Sequence, residues 1–141
     1  MKRKASAVWT GNLKDGKGAL TTESKTLSDT QYSFSTRFEN GVGTNPEELI
    51  AAAHAGCCFS MDLSARLEKA ALGPKRIDTE ATLTLEKTDP GFTITTIQLA
   101  VKVELEDRDE QKFNEAVAAA KAGCPVSKVL NADISVTATL A

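Results

Sequence analysis

Sulfur, aromatic rings and charge of a single sign are all scarce in this chain of 141 residues. It holds three cysteines, one histidine, one tryptophan and one tyrosine. Three cysteines, two of them adjacent, do not make a secreted disulfide framework, so they read as buried, metal-binding or redox-active thiols in a reducing compartment. With 17 Lys and Arg against 19 Asp and Glu, the formal net charge of −2 leaves no basic excess to attract nucleic acid. No apolar run approaches the ~20 residues of a membrane span, and the basic MKRKASAVW is not followed by the apolar stretch of a signal peptide. The expectation is a cytoplasmic protein with no membrane association. A hydrophobic fraction of 41% and a charged fraction of 26% describe an ordinary globular chain, and the length suits one domain over 1–141 with its own core.

What the chain does have is concentrated in NPEELIAAAHAGCCFSM, residues 45–61. Asn45 is a good N-cap, Pro46 fits the first helical position, and Glu47 and Glu48 suit the positive end of the helix dipole. From Leu49 onward Ile50, Ala51, Ala52, Ala53 and Ala55 leave little polar surface, which predicts a helix buried on most sides. Extended over 45–71 and stopped before Gly73-Pro74, such a helix would be roughly 40 Å long, so part of it must project or lie against a partner.

Around this helix the pattern is mostly strand. Residues 4–10 and 18–23 flank an Asp15-Gly16 turn as an opening hairpin. YSFSTRF, residues 32–38, alternates aromatic residues with Ser33, Ser35 and Arg37, which predicts a strand with Arg37 on the face away from the rings. Residues 76–87 and 92–105 form a second hairpin around a Pro90-Gly91 turn, with an apolar phase shift that predicts a bulge near Thr95-Thr96. Residues 107–122 read as a helix ended by Gly123, Cys124 precedes Pro125 at the start of a short helix through Leu130, and residues 134–140 alternate as a last strand. Hairpins separated by a few helices indicate an α+β fold of mainly antiparallel sheets around a long central helix.

The candidate chemistry lies with the thiols. Cys57 and Cys58 point about 100° apart on an α-helix, so they cannot serve one site equally. Cys57 shares its face with Ile50, Ala53 and Met61, and Cys58 shares its face with His54 and Asp62. Buried cysteine is common and most such thiols are structural, so inert packing is the competing account. A reactive thiol needs a lowered pKa, yet Cys57 lies too far past the N-cap to feel the dipole. A cation must be imported, and Arg37 is the candidate, a solvated surface arginine being the alternative. Cys124, at the start of a short helix, is placed to favour thiolate. His54 reads as a hydrogen-bonded buried histidine before a base or ligand. Zinc on Cys57, Cys58, Cys124 and His54 ranks low, because adjacent cysteines lack the spacer of structural zinc sites.

TRFENGVGTNPEELIAAAHAGC, KTDPGFTIT and AKAGCPVSKVL together resemble the OsmC/organic hydroperoxide resistance (Ohr) family, nearer its osmotically inducible branch, over essentially the whole chain. The resemblance implies an intertwined homodimer with active sites at the interface and a thiol peroxidase that reduces organic hydroperoxides without metal or other cofactor. It places the peroxidatic cysteine on Cys57, the resolving cysteine on Cys124, the activating arginine on Arg37 and its orienting glutamate on Glu47. It also implies an external dithiol reductant, a lipoylated protein rather than thioredoxin. The alternative for the same fold is a non-catalytic protein that binds a lipid or other small ligand.

Related sequences commonly read HAxCFSM, and HAGCCFSM carries one residue more. Alignment from the left selects Cys57 and alignment from the right selects Cys58; only the left keeps the step from Glu47, which favours Cys57. About 15 Å of helix separates those two residues at α-helical rise, so Glu47, with Arg37, is expected to serve the cysteine of the other subunit.

Overall fold

The computed structural model describes every residue of the chain apart from the side chain of Cys57. The chain forms two compact units, Met1–Leu49 and Ile50–Ala141.

The first unit is a three-stranded antiparallel sheet in the order β1 (Ala5–Thr10), β2 (Lys17–Thr22) and β3 (Thr30–Ser33), followed by a short helix, α1 (Phe34–Phe38). The opening hairpin follows the sequence reading. Its loop closes on Asn12, whose Oδ1 accepts from the backbone N–H groups of Lys14 and Asp15 at 3.0 and 2.8 Å. Gly18 faces Tyr32 in the register and leaves the room that the tyrosine ring occupies; a Cβ there would lie 2.2 Å from the ring. This unit has almost no interior. All six residues of β1 are exposed, Val8 to 67%, and its only buried side chain larger than glycine is Thr36.

The strand predicted over residues 32–38 is cut short at Ser33. Ser33 Oγ accepts from Thr36 N–H at 3.3 Å while Thr36 Oγ1 accepts from Ser33 N–H at 2.8 Å, a reciprocal capping box that turns the chain into α1. Phe34 and Phe38, the spacing that suggested strand alternation, instead lie one helical turn apart with their rings tilted against each other and centroids 4.9 Å apart. Arg37 therefore sits in the last turn of a helix, not on a strand face.

The helical run expected from Asn45 is present but not uniform. It comprises α2 (Pro46–Ala52), a π-helix (Ala53–Ser60) and α3 (Met61–Lys69). Asn45 caps it, Oδ1 accepting from Glu48 N–H at 2.8 Å. The prediction that it is buried on most sides fails in the single chain: α2 buries no residue, and Ala52, Ala53 and Gly56 are exposed. α3 ends at Lys69, two residues before the expected end at Ala71. Leu72 N–H bonds to Leu67 O and Ala71 N–H to Glu68 O, with Ala71 in the left-handed region at φ 59°.

The second unit holds the core. β4 (Pro74–Thr88) and β5 (Gly91–Leu105) pair antiparallel, with a register shift that leaves Thr95 unpaired, the bulge expected from the apolar phase change. β6 (Asp133–Leu140) pairs with β5 in parallel, because α4 (Glu110–Gly123) and α5 (Pro125–Val129) form a crossover between them. Asp109 caps α4 by accepting from Lys112 N–H. The inward residues Ile97, Leu99, Val101 and Val103 of β5 pack with Phe59, Leu63 and Leu67 of the helical run and with Phe113, Ala116 and Ala120 of α4. Burying each such large side chain contributes about 1.5–3 kcal/mol, which fixes the C-terminal half of the π-helix and α3 on the sheet.

Candidate functional site

In the first unit, Arg37 and Glu47 form a forked ion pair. Arg37 Nε donates to Glu47 Oε1 and Oε2 at 3.0 and 3.2 Å, and Arg37 Nη2 donates to Oε1 at 2.6 Å. The helix cap places Glu47 and the capping box places Arg37, so two local sequence devices fix the geometry of the guanidinium. Its Cζ also lies 5.3 Å from the centre of the Phe38 ring. The Arg37 side chain remains 36% exposed, leaving guanidinium N–H groups that Glu47 does not use.

In the second unit, the π-helix faces α5. Cys124 is buried, serves as C-cap of α4 and N-cap of α5, and is held by its N–H to Ala120 O. Two residues on, Val126 N–H donates to Cys58 Sγ at 3.4 Å. Ser127 Oγ lies 2.7 Å from His54 Nε2, one turn before Cys58. His54 is buried with no partner for Nδ1 among the described residues, and burial holds its pKa below the usual histidine range. The predicted stripe of His54, Cys58 and Asp62 is thus the face presented toward the end of α4 and the start of α5. Asp62 pairs there with Arg66 at 2.7 Å, and the Arg66 guanidinium fills the space a Cβ on Gly123 would need.

The Cys57 side chain lies outside the described residues. The thiol that the structure brings to the N-terminus of α5 is that of Cys58, which the sequence reading kept as the alternative to Cys57. Ser127 was also missed as a partner, although it stands in the same AGCPVS motif as Cys124. Among the described residues, no group of three or more His, Cys, Asp or Glu side chains is placed to hold a metal ion.

Residues 38–139 match the family model described as OsmC-like protein. The chain belongs to the OsmC-like family. It is 50% identical over 133 residues to peroxiredoxin OsmC of Escherichia coli K12, covering 94% of this chain and 92% of that protein. It is 32% identical over 98 residues to the organic hydroperoxide resistance protein OhrB of Bacillus subtilis, covering 70% of each. The crystal structure of that OhrB superposes with a TM-score of 0.69 at 27% identity, covering 96% of this chain and 98% of that one. The α+β architecture of this OsmC-like chain is therefore that of the OsmC and Ohr proteins, and the family match over residues 38–139 spans both the central helix and the AGCPVS motif.

Proposed function

We propose that this OsmC-like protein is a cysteine-based peroxidase that reduces organic hydroperoxides to alcohols. The observation that carries the reading is the apposition of a thiol on the central helix to the helix start that Cys124 caps, in a chain half identical to a peroxiredoxin. A thiolate of the adjacent cysteine pair attacks the distal peroxide oxygen. The O–O bond breaks, the alkoxide takes up a proton and leaves as alcohol, and the sulfur becomes a sulfenic acid. The Cys124 thiol displaces water from it, forming a disulfide. An external dithiol then returns both cysteines to thiols and is itself oxidised to a disulfide; a lipoylated protein supplies that chemistry.

Arg37 acts as the cation. Its free guanidinium N–H groups would favour thiolate over thiol and stabilise charge developing on the peroxide oxygens, while Glu47 fixes the plane of the fork. We propose a homodimer in which this pair serves the thiol of the partner. Two features support it: the helical separation of Glu47 from the cysteines, and a first unit whose β1 has no buried side chain of its own. A sheet so poor in core needs a covering surface. No helix of the described residues is long and apolar enough to cross a membrane.

The direct test is consumption of cumene hydroperoxide with dihydrolipoamide as reductant, and its loss in Cys124→Ser under turnover. Binding of alkyl compounds without any peroxide consumption would instead mean a ligand-binding protein. Sedimentation at the 15.0 kDa mass of a single chain would remove the interface from the mechanism.

A further inference from the structure

We infer that Cys58 is the thiol that is oxidised and then bonded to Cys124, and that Cys57 is the surplus residue taken up by the π-helix. The inference rests on the peroxidase reading for its chemistry and on the local geometry for its assignment.

Two contacts set the rotational phase of the helix. His54 Nε2 meets Ser127 Oγ at 2.7 Å, and Cys58 Sγ receives Val126 N–H at 3.4 Å. Both partners lie in α5, whose N-cap is Cys124. His54 and Cys58 are therefore the residues that this face of the helix turns toward the resolving cysteine. Successive residues of a helix point about 100° apart, and Cys58 is the one whose sulfur meets the first turn of the helix that Cys124 caps.

The π-helix explains how a second cysteine fits. Within the second unit the helical run is held on one side by His54, bonded to Ser127, and on the other by Phe59, Leu63 and Leu67, all with no exposed surface. One additional residue between fixed ends must either rotate one end by about 100°, taking Phe59 out of the core, or widen a turn. Ala53–Ser60 is the widened turn. Ser60 supports it by donating from Oγ to Ala55 O at 2.6 Å, while its hydroxyl also meets Thr79 Oγ1 at 2.8 Å. Everything from Cys58 onward consequently keeps its phase with the core and with α5, and the residue just before it absorbs the excess.

The chemistry then runs on Cys58. Its thiolate takes one oxygen from the hydroperoxide and releases the alcohol; the sulfenic acid loses water as Cys124 sulfur bonds to it. The Val126 N–H, already aimed at Cys58 Sγ, stabilises negative charge on that sulfur before attack.

The test is disulfide mapping by tandem mass spectrometry, with fragmentation between residues 57 and 58, on the full-length wild type, Cys57→Ser and Cys58→Ser. Each is treated once with one equivalent of cumene hydroperoxide and once with diamide, which takes two hydrogens from a thiol pair and needs no peroxidase site. The expected product is a Cys58–Cys124 link with both oxidants in wild type and in Cys57→Ser, with turnover of Cys57→Ser within about threefold of wild type. Cys58→Ser should lose the link, and its turnover should fall by at least about 100-fold. A Cys57–Cys124 link in wild type, or an active Cys58→Ser, would overturn the assignment while leaving the peroxidase reading intact. Should wild type ignore the hydroperoxide yet form Cys58–Cys124 with diamide, the peroxidase reading fails and the pairing stands. If Cys58→Ser does not fold, the wild-type map alone decides between the two thiols.

Discussion

His54 Nε2 and Ser127 Oγ, 73 residues apart in sequence, lie 2.7 Å from each other and join the π-helix to the helix that Cys124 begins. With Nδ1 buried and without a partner among the described residues, a neutral ring that donates from Nε2 costs least, since the other neutral tautomer would bury an unpaired N–H donor and a doubly protonated ring an unpaired charge. Burial lowers the pKa of His54. The unfolded chain therefore binds this proton more readily than the folded one, and its contribution to stability is complete above the ~6.5 of a free histidine and lost as pH falls through the folded value. Urea midpoints should drop between about pH 7 and pH 5 in wild type and stay flatter in His54→Gln over that window. Parallel curves for the two proteins would show that His54 carries no part of the dependence. Ser127→Ala should cost about 1–2 kcal/mol by orphaning the second ring nitrogen.

The Arg37–Glu47 pair should matter far more to rate than to folding. With the arginine side chain 36% exposed, solvent screens the pair, and its removal is expected to cost under about 1 kcal/mol of stability. A guanidinium that stabilises charge on reacting oxygens is worth more, so Arg37→Met should lower kcat/KM for cumene hydroperoxide by about 100-fold or more. Glu47→Gln keeps the shape but weakens the fork and should lose about tenfold, with most of the loss in Arg37→Lys as well because lysine cannot fork. Unchanged kcat/KM in Arg37→Met would remove Arg37 from the mechanism.

Where the sequence was legible, one period or one capping device acted alone. Ile97, Leu99, Val101 and Val103 alternate into a core that only a strand can fill, and Asn45-Pro46-Glu47 can only start a helix. It misled where two patterns overlap. Phe34 and Phe38 satisfy both a strand period and a helical step, and the Ser33–Thr36 box decides in favour of the helix by bonding two backbone N–H groups at once. The direction of β6 was not readable from its own residues, because parallel pairing follows from the crossover that precedes it. At the site, HAGCCFSM showed that one residue was surplus, but not where the excess would be stored. That depends on which end of the helix is held harder, and Phe59 and Leu63 lie on the side that cannot turn.

The end of α3 offers a test of backbone chemistry away from the site. Ala71 occupies the left-handed C′ position of a Schellman motif, where a Cβ crowds the carbonyl and glycine is the usual residue. Ala71→Gly should raise stability by up to about 1 kcal/mol, the strain relieved being partly offset by the greater freedom of glycine in the unfolded chain. A lower urea midpoint in Ala71→Gly would mean that this methyl contributes more by packing than it costs by strain.

Deleting one of the adjacent cysteines gives the same protein whichever is removed, a chain reading HAGCFSM. If the π-helix is the store of one surplus residue, this deletion lets the run from Pro46 to Lys69 wind as an uninterrupted α-helix while Phe59, Leu63 and Leu67 keep their places in the core. The remaining cysteine then sits opposite Val126 as Cys58 does now. The shortened protein should fold with equal or higher stability, form its disulfide with Cys124, and turn over cumene hydroperoxide within about threefold of wild type. A π-turn that was instead required to aim the thiol would give the opposite result: a folded protein, judged by its circular dichroism and urea transition, that no longer links its helix cysteine to Cys124. Amide exchange separates the two accounts further, because the wide turn leaves weaker backbone bonds over Ala53–Ser60 and the deletion should slow exchange there.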